Sequence, residues 1–445
     1  MITPYHVLAY LAIAFYILLY SGHMIHLLLG YKAALRWKKL GYLEEAHRLS
    51  RSDLVSPITV IADLHEIGED ADRWVDHVLS QRFPELEIII MVNGEGGEEA
   101  ERLIDTFFLR RLDRVYRRVL EAPEPREVFQ SDDRRLVLVR TEGARKGASL
   151  NLALGLSRYP LVAVASGGTH LEDDALLCMV RPFMEGQIKA PAVMGVELPV
   201  EMGEENLLPP RRITRFELME SLRVQLGYLA GALYLGGPVI AWGSIMLCRK
   251  RDIEKAGGFR PDLASKAAQM NMVLRLHRLM RHERKPYRFV FLPQVVARRR
   301  YADTWREHLS GSYDHERSIS AALRPEAGML FRLRYGSLGT LQLPIFWLFV
   351  NMAAIVGFAA YAIAILFFAF GKIGWPVFAA FLASSMLYPA VVGVGAVAAA
   401  RREVGILKGQ GAILYAYAFI TQVWFRQFTS LACLLTPGVF GSRES

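Results

Sequence analysis

Side chains able to do chemistry gather at a few points of this 445-residue chain. Asp63, His65 and Glu66 stand together directly after a short apolar run. A histidine beside carboxylates suits general-base work, but the spacing fixes no nucleophile for it to activate. Lys146 precedes Gly147, with Asn151 further along the same helical stretch. A lysine and free backbone N–H groups at a helix start suit a phosphate; a solvated helix end with a routine asparagine is the competing reading. Glu172, Asp173 and Asp174 could ligate a hard cation. Their place at the start of a helix favours the plainer role of complementing the helix dipole. Gly94, Gly96 and Gly97 lack the spacing and the following acid of a dinucleotide fingerprint. Cys178, Cys248 and Cys433 are too few and too scattered for a disulfide frame or a zinc site.

These groups must be carried by regular elements. Between 55 and 300, short apolar runs (Ile58–Ala62, Glu87–Val92, Leu136–Val139, Leu161–Ala165, Ala192–Val196) alternate with amphipathic stretches of helix length. Continuous apolar runs are the mark of strands buried on both faces. The alternation specifies βαβ units and a mostly parallel sheet, whose ligands sit at the carboxyl ends of the strands. The fold class expected is therefore α/β.

The flanks are different. Hydrophobic residues make up 52% of the chain and charged residues 22%, with a mean hydropathy of +0.21. That is too apolar for an ordinary soluble enzyme and too charged for a bundle of membrane helices alone. Residues 7–29 are long enough to span a bilayer, and Lys32, Arg36, Lys38 and Lys39 follow them. Positive flanks stay cytosolic, so the α/β region is expected in the cytosol. Residues 341–370 and 375–399 read as two further spans, with Arg401, Arg402 and Lys408 on the cytosolic side, and 411–435 as a fourth. Segments 302–335 and 205–235 read as amphipathic interfacial helices. The net charge of +9 includes a basic run from Arg281 to Arg300. Next to interfacial helices that run is expected to meet anionic lipid or a partner rather than nucleic acid. The expected division is an anchor at 1–34, a cytosolic α/β domain at 50–300, interfacial helices at 301–340 and spans at 341–436.

RFPELEIIIMVNG, RKGASLNLAL, LVAVASGGTHLEDDAL, LCRKRDIEKAGGF and VLRLHR occur in this order between 82 and 278. Together with the layout of anchor, α/β domain and C-terminal spans, they resemble the family-2 membrane glycosyltransferases, which include cellulose, chitin and hyaluronan synthases. The resemblance implies a GT-A-like domain, a UDP-sugar substrate and a divalent cation held by an Asp-x-Asp.

At the positions the resemblance marks for chemistry, this sequence is altered. The strand Leu161–Ala165 ends in Ser166-Gly167-Gly168, where the Asp-x-Asp would stand. The earlier acidic pair falls at Asn93-Gly94. The general base, counted nine residues back from Arg278, is Gln269. The Gln-x-x-Arg-Trp of the interfacial helix is replaced by Glu307-His308-Leu309-Ser310-Gly311. The expectation is a pseudoenzyme with no catalytic residue, no metal and no cofactor, and with residual nucleotide contacts at Asn93, Lys146 and Asn151. It would be a multi-pass protein of a bacterial plasma membrane, partnering or scaffolding an active polysaccharide synthase or export subunit. Two alternatives are a divergent, metal-independent transferase acting on a nucleotide sugar, and a nucleotide-sensing regulatory subunit.

Overall fold

The computed structural model describes residues 3–38, 55–94, 97–113, 118–142, 146–184, 188–203, 207–347, 351–403 and 410–435. It begins with one long helix, α1 (Pro4–Lys38). A mixed α/β region follows: β1 (Ile58–Asp63), α2 (Ala71–Leu79), β2 (Leu86–Asn93), α3 (Gly97–Thr106), β3 (Arg110–Arg111), β4 (Pro125–Gln130), β5 (Leu136–Thr141) and α4 (Lys146–Leu156). It continues through β6 (Leu161–Ala165), β7 (Thr169–Leu171), α5 (Ala175–Met184), β8 (Ala192–Pro199), α6 (Arg212–Leu222), β9 (Ile245–Arg249), α7 (Ser265–Glu283) and β10 (Val290–Arg299).

All ten strands form one sheet in the order β3-β4-β5-β2-β1-β6-β9-β8-β10-β7. The run β5-β2-β1-β6 is parallel, and β9 enters antiparallel between β6 and β8. Each apolar run named from the sequence is a strand. Side-chain alternation sorts each one between two cores: Ile61, Ile89 and Met91 face α4 and α7, whereas Val60, Ile88 and Ile90 face α2 and α5. Helices on both faces of a parallel sheet explain why these strands contain almost no polar residue.

Glu87 is the exception. It is the second residue of β2 and has no exposed surface. Thr59 Oγ1 donates to its carboxylate at 2.8 Å. The backbone N–H of Arg158 donates at 3.0 Å and its Nε at 2.9 Å. Burying a charge is costly unless it is paired and hydrogen-bonded, and here β1, β2 and the turn after α4 are joined by that requirement.

The longer helices after β10, among the described residues, are α8 (Trp305–Leu323), α9 (Asn351–Ala369), α10 (Trp375–Leu382), α11 (Tyr388–Glu403), α12 (Gly411–Ile420) and α13 (Arg426–Leu435). Two helical stretches, Pro4–Lys32 and Trp375–Arg402, are long and apolar enough to cross a membrane; Ile355–Ala369 is apolar but shorter. The stretch expected as a fourth span is helical, with a π-type turn at Thr421–Phe425. α1 reaches the α/β region through a close crossing: a Cβ on Gly231 would lie 2.0 Å from the carbonyl oxygen of His26. Lys39, Lys408 and residues 436–445 lie outside the described residues.

Arg284, Lys285, Arg288, Arg299 and Arg300 of the basic run are exposed, while its last three arginines are paired with carboxylates. Arg298 donates to Glu172 at 2.5 Å, Arg299 pairs with Glu197 and Arg300 with Asp303 at 2.9 Å. Carboxylates on β8 and next to α5 draw the end of β10 into the protein. Glu172 thereby serves Arg298, not the start of α5 as the sequence suggested.

The Glu87 network gives a direct test. Arg158→Ala leaves the buried carboxylate half-satisfied, and it should destabilise the protein by about 3 kcal/mol. A thermal melt of the variant beside Glu87→Gln checks this, with the glutamine variant retaining more stability.

Candidate functional site

The chain order along the sheet reverses between β1 and β6, since β2 and β5 lie on one side of β1 and β6 on the other. Such a switch point opens a crevice at the carboxyl ends of the strands. Here those ends are Asp63, Asn93 and Ala165 with the Ser166–Gly168 turn.

Asp63 is buried. Its Oδ1 accepts from the His65 N–H at 3.0 Å, capping the turn Leu64–Ile67. Its Oδ2 accepts from Asn93 Nδ2 at 3.1 Å. Asn93 Oδ1 in turn accepts from Thr141 Oγ1 at 2.9 Å and Ser149 Oγ at 2.8 Å. Its acceptor capacity is thus used, and the amide stitches β1, β2, β5 and α4 together. Asn151 is committed even more fully. Its Nδ2 donates to the carbonyls of Glu121 and Phe259 at 2.9 Å, and its Oδ1 accepts from the Phe259 N–H at 2.7 Å. Both asparagines expected as nucleotide contacts are therefore used by the scaffold, each joining elements through several hydrogen bonds. The side chain of Lys146 lies outside the described residues.

The turn after β6 is closed by backbone. Ser166 N–H donates to the carbonyl of Ser244 at 2.7 Å, and its own carbonyl accepts from Thr169 Oγ1 at 2.6 Å. A Cβ on Gly167 would stand 1.7 Å from the carbonyl oxygen of Glu66. No side chain fits there unless the loop after β1 moves. Gly168 has φ +68° with open space around it.

The divalent cation implied by the family resemblance does not fit these residues. A hydroxyl and two glycines offer a hard cation no charged oxygen. Asp63 is tied to Asn93 and the His65 N–H, and Glu66 Oε2 accepts from the Gly167 N–H at 3.4 Å. Among the described residues no group of three or more His, Cys, Asp or Glu could hold a metal ion.

Other groups line the crevice. Gln269 is buried on α7, its Nε2 donating to Ser265 Oγ at 3.3 Å. One turn earlier Lys266 is solvent-accessible and makes no hydrogen bond or ion pair among the described residues. Although part of the residue is exposed, partial desolvation of its ammonium by the crevice walls and the nearby Arg299 push it down to about 8, against the pull of Glu197, Asp314 and Glu66. His315 meets Trp242 edge to face at 4.7 Å. Burial, then Lys266 and Arg299, hold its imidazole well below the ordinary range. Burial opposes the charge on Arg299 too, but Glu197 keeps it protonated.

Glu307 closes the start of α8: its N–H donates to Thr304 Oγ1 at 3.3 Å, while its Oε2 accepts from the Asp303 N–H at 2.8 Å. This resembles a capping box, with the carboxylate meeting the N–H one residue before the Thr304 cap. Ser310 and Gly311 lie one turn on, and a Cβ on Gly311 would meet nothing within 4 Å. It is His315, two turns into α8, that reaches the crevice. The sequence signal for Lys266 and His315 was weak, since neither stands at a position that the family resemblance marks.

With a side-chain pKa near 8, Lys266 should be the first lysine modified by an amine-reactive ester at pH 8. Its free-amine fraction there is roughly a hundred times that of an ordinary lysine. Peptide mass spectrometry after brief labelling reads this out, and equal labelling of all lysines would contradict it.

No protein-family model and no curated protein matches the chain. Among solved structures it is similar to a mannosyltransferase from Pyrobaculum calidifontis in complex with GDP-Man and Mn2+. The identity is 16% over 96% of this chain and 98% of that one, with a TM-score of 0.48. It is similar to glucosyl-3-phosphoglycerate synthase from Mycobacterium tuberculosis at 11% identity, over 62% and 82% of the two chains, with a TM-score of 0.36. For residues 1–349 of TarS from S. aureus in complex with UDP-GlcNAc, the values are 9%, 84%, 92% and 0.38. These neighbours are glycosyltransferases.

Proposed function

We propose that this chain is a membrane-embedded protein of polysaccharide biosynthesis built on a GT-A-like glycosyltransferase domain that has lost metal-dependent transfer. It acts as partner or scaffold of an active polysaccharide synthase or export complex in a bacterial inner membrane. The anchor at 1–34 and the spans at 341–436 seat the domain at 50–300 on the cytosolic face through the helices at 301–340. One observation carries the loss of catalysis: the turn Ser166-Gly167-Gly168 offers no carboxylate, and Gly167 is pressed against the Glu66 carbonyl. A nucleotide-sugar diphosphate would meet no cation there, and no general base stands at Gln269. Loss of a base alone typically costs about 10²–10⁴ in rate.

A specific observation favours a second reading. Lys266, lowered to about 8 and without a hydrogen bond or ion pair among the described residues, is a cation that can give up its proton near pH 8, on the face of α7 that also carries Gln269. It could serve a transferase that works on a nucleotide sugar without metal.

Purified protein incubated with UDP- and GDP-sugars should release no nucleoside diphosphate above background, with or without Mg2+ or Mn2+. Release that requires the cation overturns the proposal. Release that survives chelation and is abolished by Lys266→Met establishes the second reading. Membrane placement is checked separately: the protein should stay in the pellet after alkaline carbonate extraction and leave it with detergent. Capture from native membranes should bring down a synthase or export subunit.

A further inference from the structure

One polar cluster lies away from the crevice, where α1, α8 and the α12–α13 pair meet the end of α6. Glu220 and Arg223 come from α6 and the turn that follows it. Arg223 donates to Glu220 from Nε at 3.0 Å and from its second terminal nitrogen at 2.5 Å. Gln422, in the π-type turn, donates from Nε2 to the same carboxylate at 3.2 Å. Burial would raise the Glu220 carboxyl, but Arg223 and then Arg426 hold it down at about 2. The one carboxylate is therefore ionised and fully engaged.

Arg426 opens α13, one turn beyond Gln422. Among the described residues it makes no hydrogen bond or ion pair, and its Nη1 is buried without a partner. The Oε1 of Gln422 is likewise buried and unpartnered, on a residue 1% exposed. The helices on either side are apolar: GAILYAYAFI before and FTSLACLL after. Glu316 on α8 faces the same space, but burial raises its carboxyl and it forms no ion pair with Arg426. Glu220 and Glu316 act on this guanidinium only through space, so its donors lack a bonded partner, which apolar surroundings tolerate poorly.

We propose that Arg426 and Gln422 form the headgroup site of a phosphate-bearing lipid held between α1, α8 and α13. The guanidinium fork matches phosphate oxygens, and basic pockets between membrane helices take anionic headgroups. The Gln422 carbonyl oxygen adds an acceptor suited to a headgroup hydroxyl, so phosphatidylglycerol is the fitting probe. The inference rests on the membrane placement proposed above and is independent of whether the crevice is catalytic.

The test uses full-length protein, delipidated in mild detergent and titrated with phosphatidylglycerol, phosphatidylcholine or inorganic phosphate, with occupancy read by native mass spectrometry. The wild type should prefer phosphatidylglycerol over phosphatidylcholine by about tenfold, and Arg426→Gln should abolish the preference. Glu316→Gln should preserve it, because Glu316 is not the counterion of Arg426. Since removing a buried charge can unfold the bundle, Gln422→Ala serves as second variant, with a loss of about threefold expected. A preference that survives both substitutions, or no preference in the wild type, overturns the site. Binding of inorganic phosphate that is lost in Arg426→Gln overturns the lipid source in favour of a soluble phosphate. Release of the protein by carbonate would instead defeat the membrane placement, so the two failures are distinguishable.

Discussion

The close approach of the loop after β1 to the turn after β6 governs everything at the switch point. With the Glu66 carbonyl where a Gly167 side chain would begin, the two strand ends are locked together. That lock requires a tight turn at Leu64–Ile67, which Asp63 caps, and a fixed Asp63, which Asn93 holds. Asn93 in turn anchors Thr141 and Ser149. A chain of hydrogen bonds thus runs from the crevice floor into β5 and α4, and each residue on it is unavailable to a ligand because the fold already uses it. The same contact removes the room in which a metal-bound diphosphate would need a charged ligand.

Much of this architecture was legible in the sequence. Runs such as Leu161–Ala165 had no choice but to be buried on both faces, and they mark the sheet and its carboxyl ends. The neutral residues at 93, 166–168 and 269 were visible for the same reason, because strand ends and a helix start fix their places. Three things were not legible. Asn151 looks like a ligand contact in sequence, but its partners are backbone atoms of Glu121 and Phe259, 30 and 108 positions away. Arg298 and Arg299 look like a basic surface until β10 pairs beside β8 and β7, where Glu172 meets Arg298 and Glu197 meets Arg299. His315 enters the crevice because α8 begins with a cap at Thr304 and Glu307, which sets the phase of the whole helix. Each depends on long-range placement that no local pattern encodes.

On the proposed reading, in which metal-dependent transfer is lost, the four altered positions form one coupled change. Carboxylates clustered around a divalent cation are stable only while the cation neutralises them. Once one ligand goes, the remainder repel one another and lose hydration with no charge to answer it, so a neutral replacement becomes favourable at each. Asn93, Ser166 and Gly168 are consistent with that coupled drift, as polar or small residues that keep the turn geometry while removing the charge. Gln269 follows the same logic on α7. Lys266, one turn away, is a different kind of change, because an amine held at about 8 among Arg299, Glu197, Asp314 and Glu66 keeps the crevice polar without a metal. On the same reading, neutral residues at these positions account for part of the chain's excess of basic residues, and Arg426 belongs to the rest, with Glu220 and Glu316 acting on it only through space.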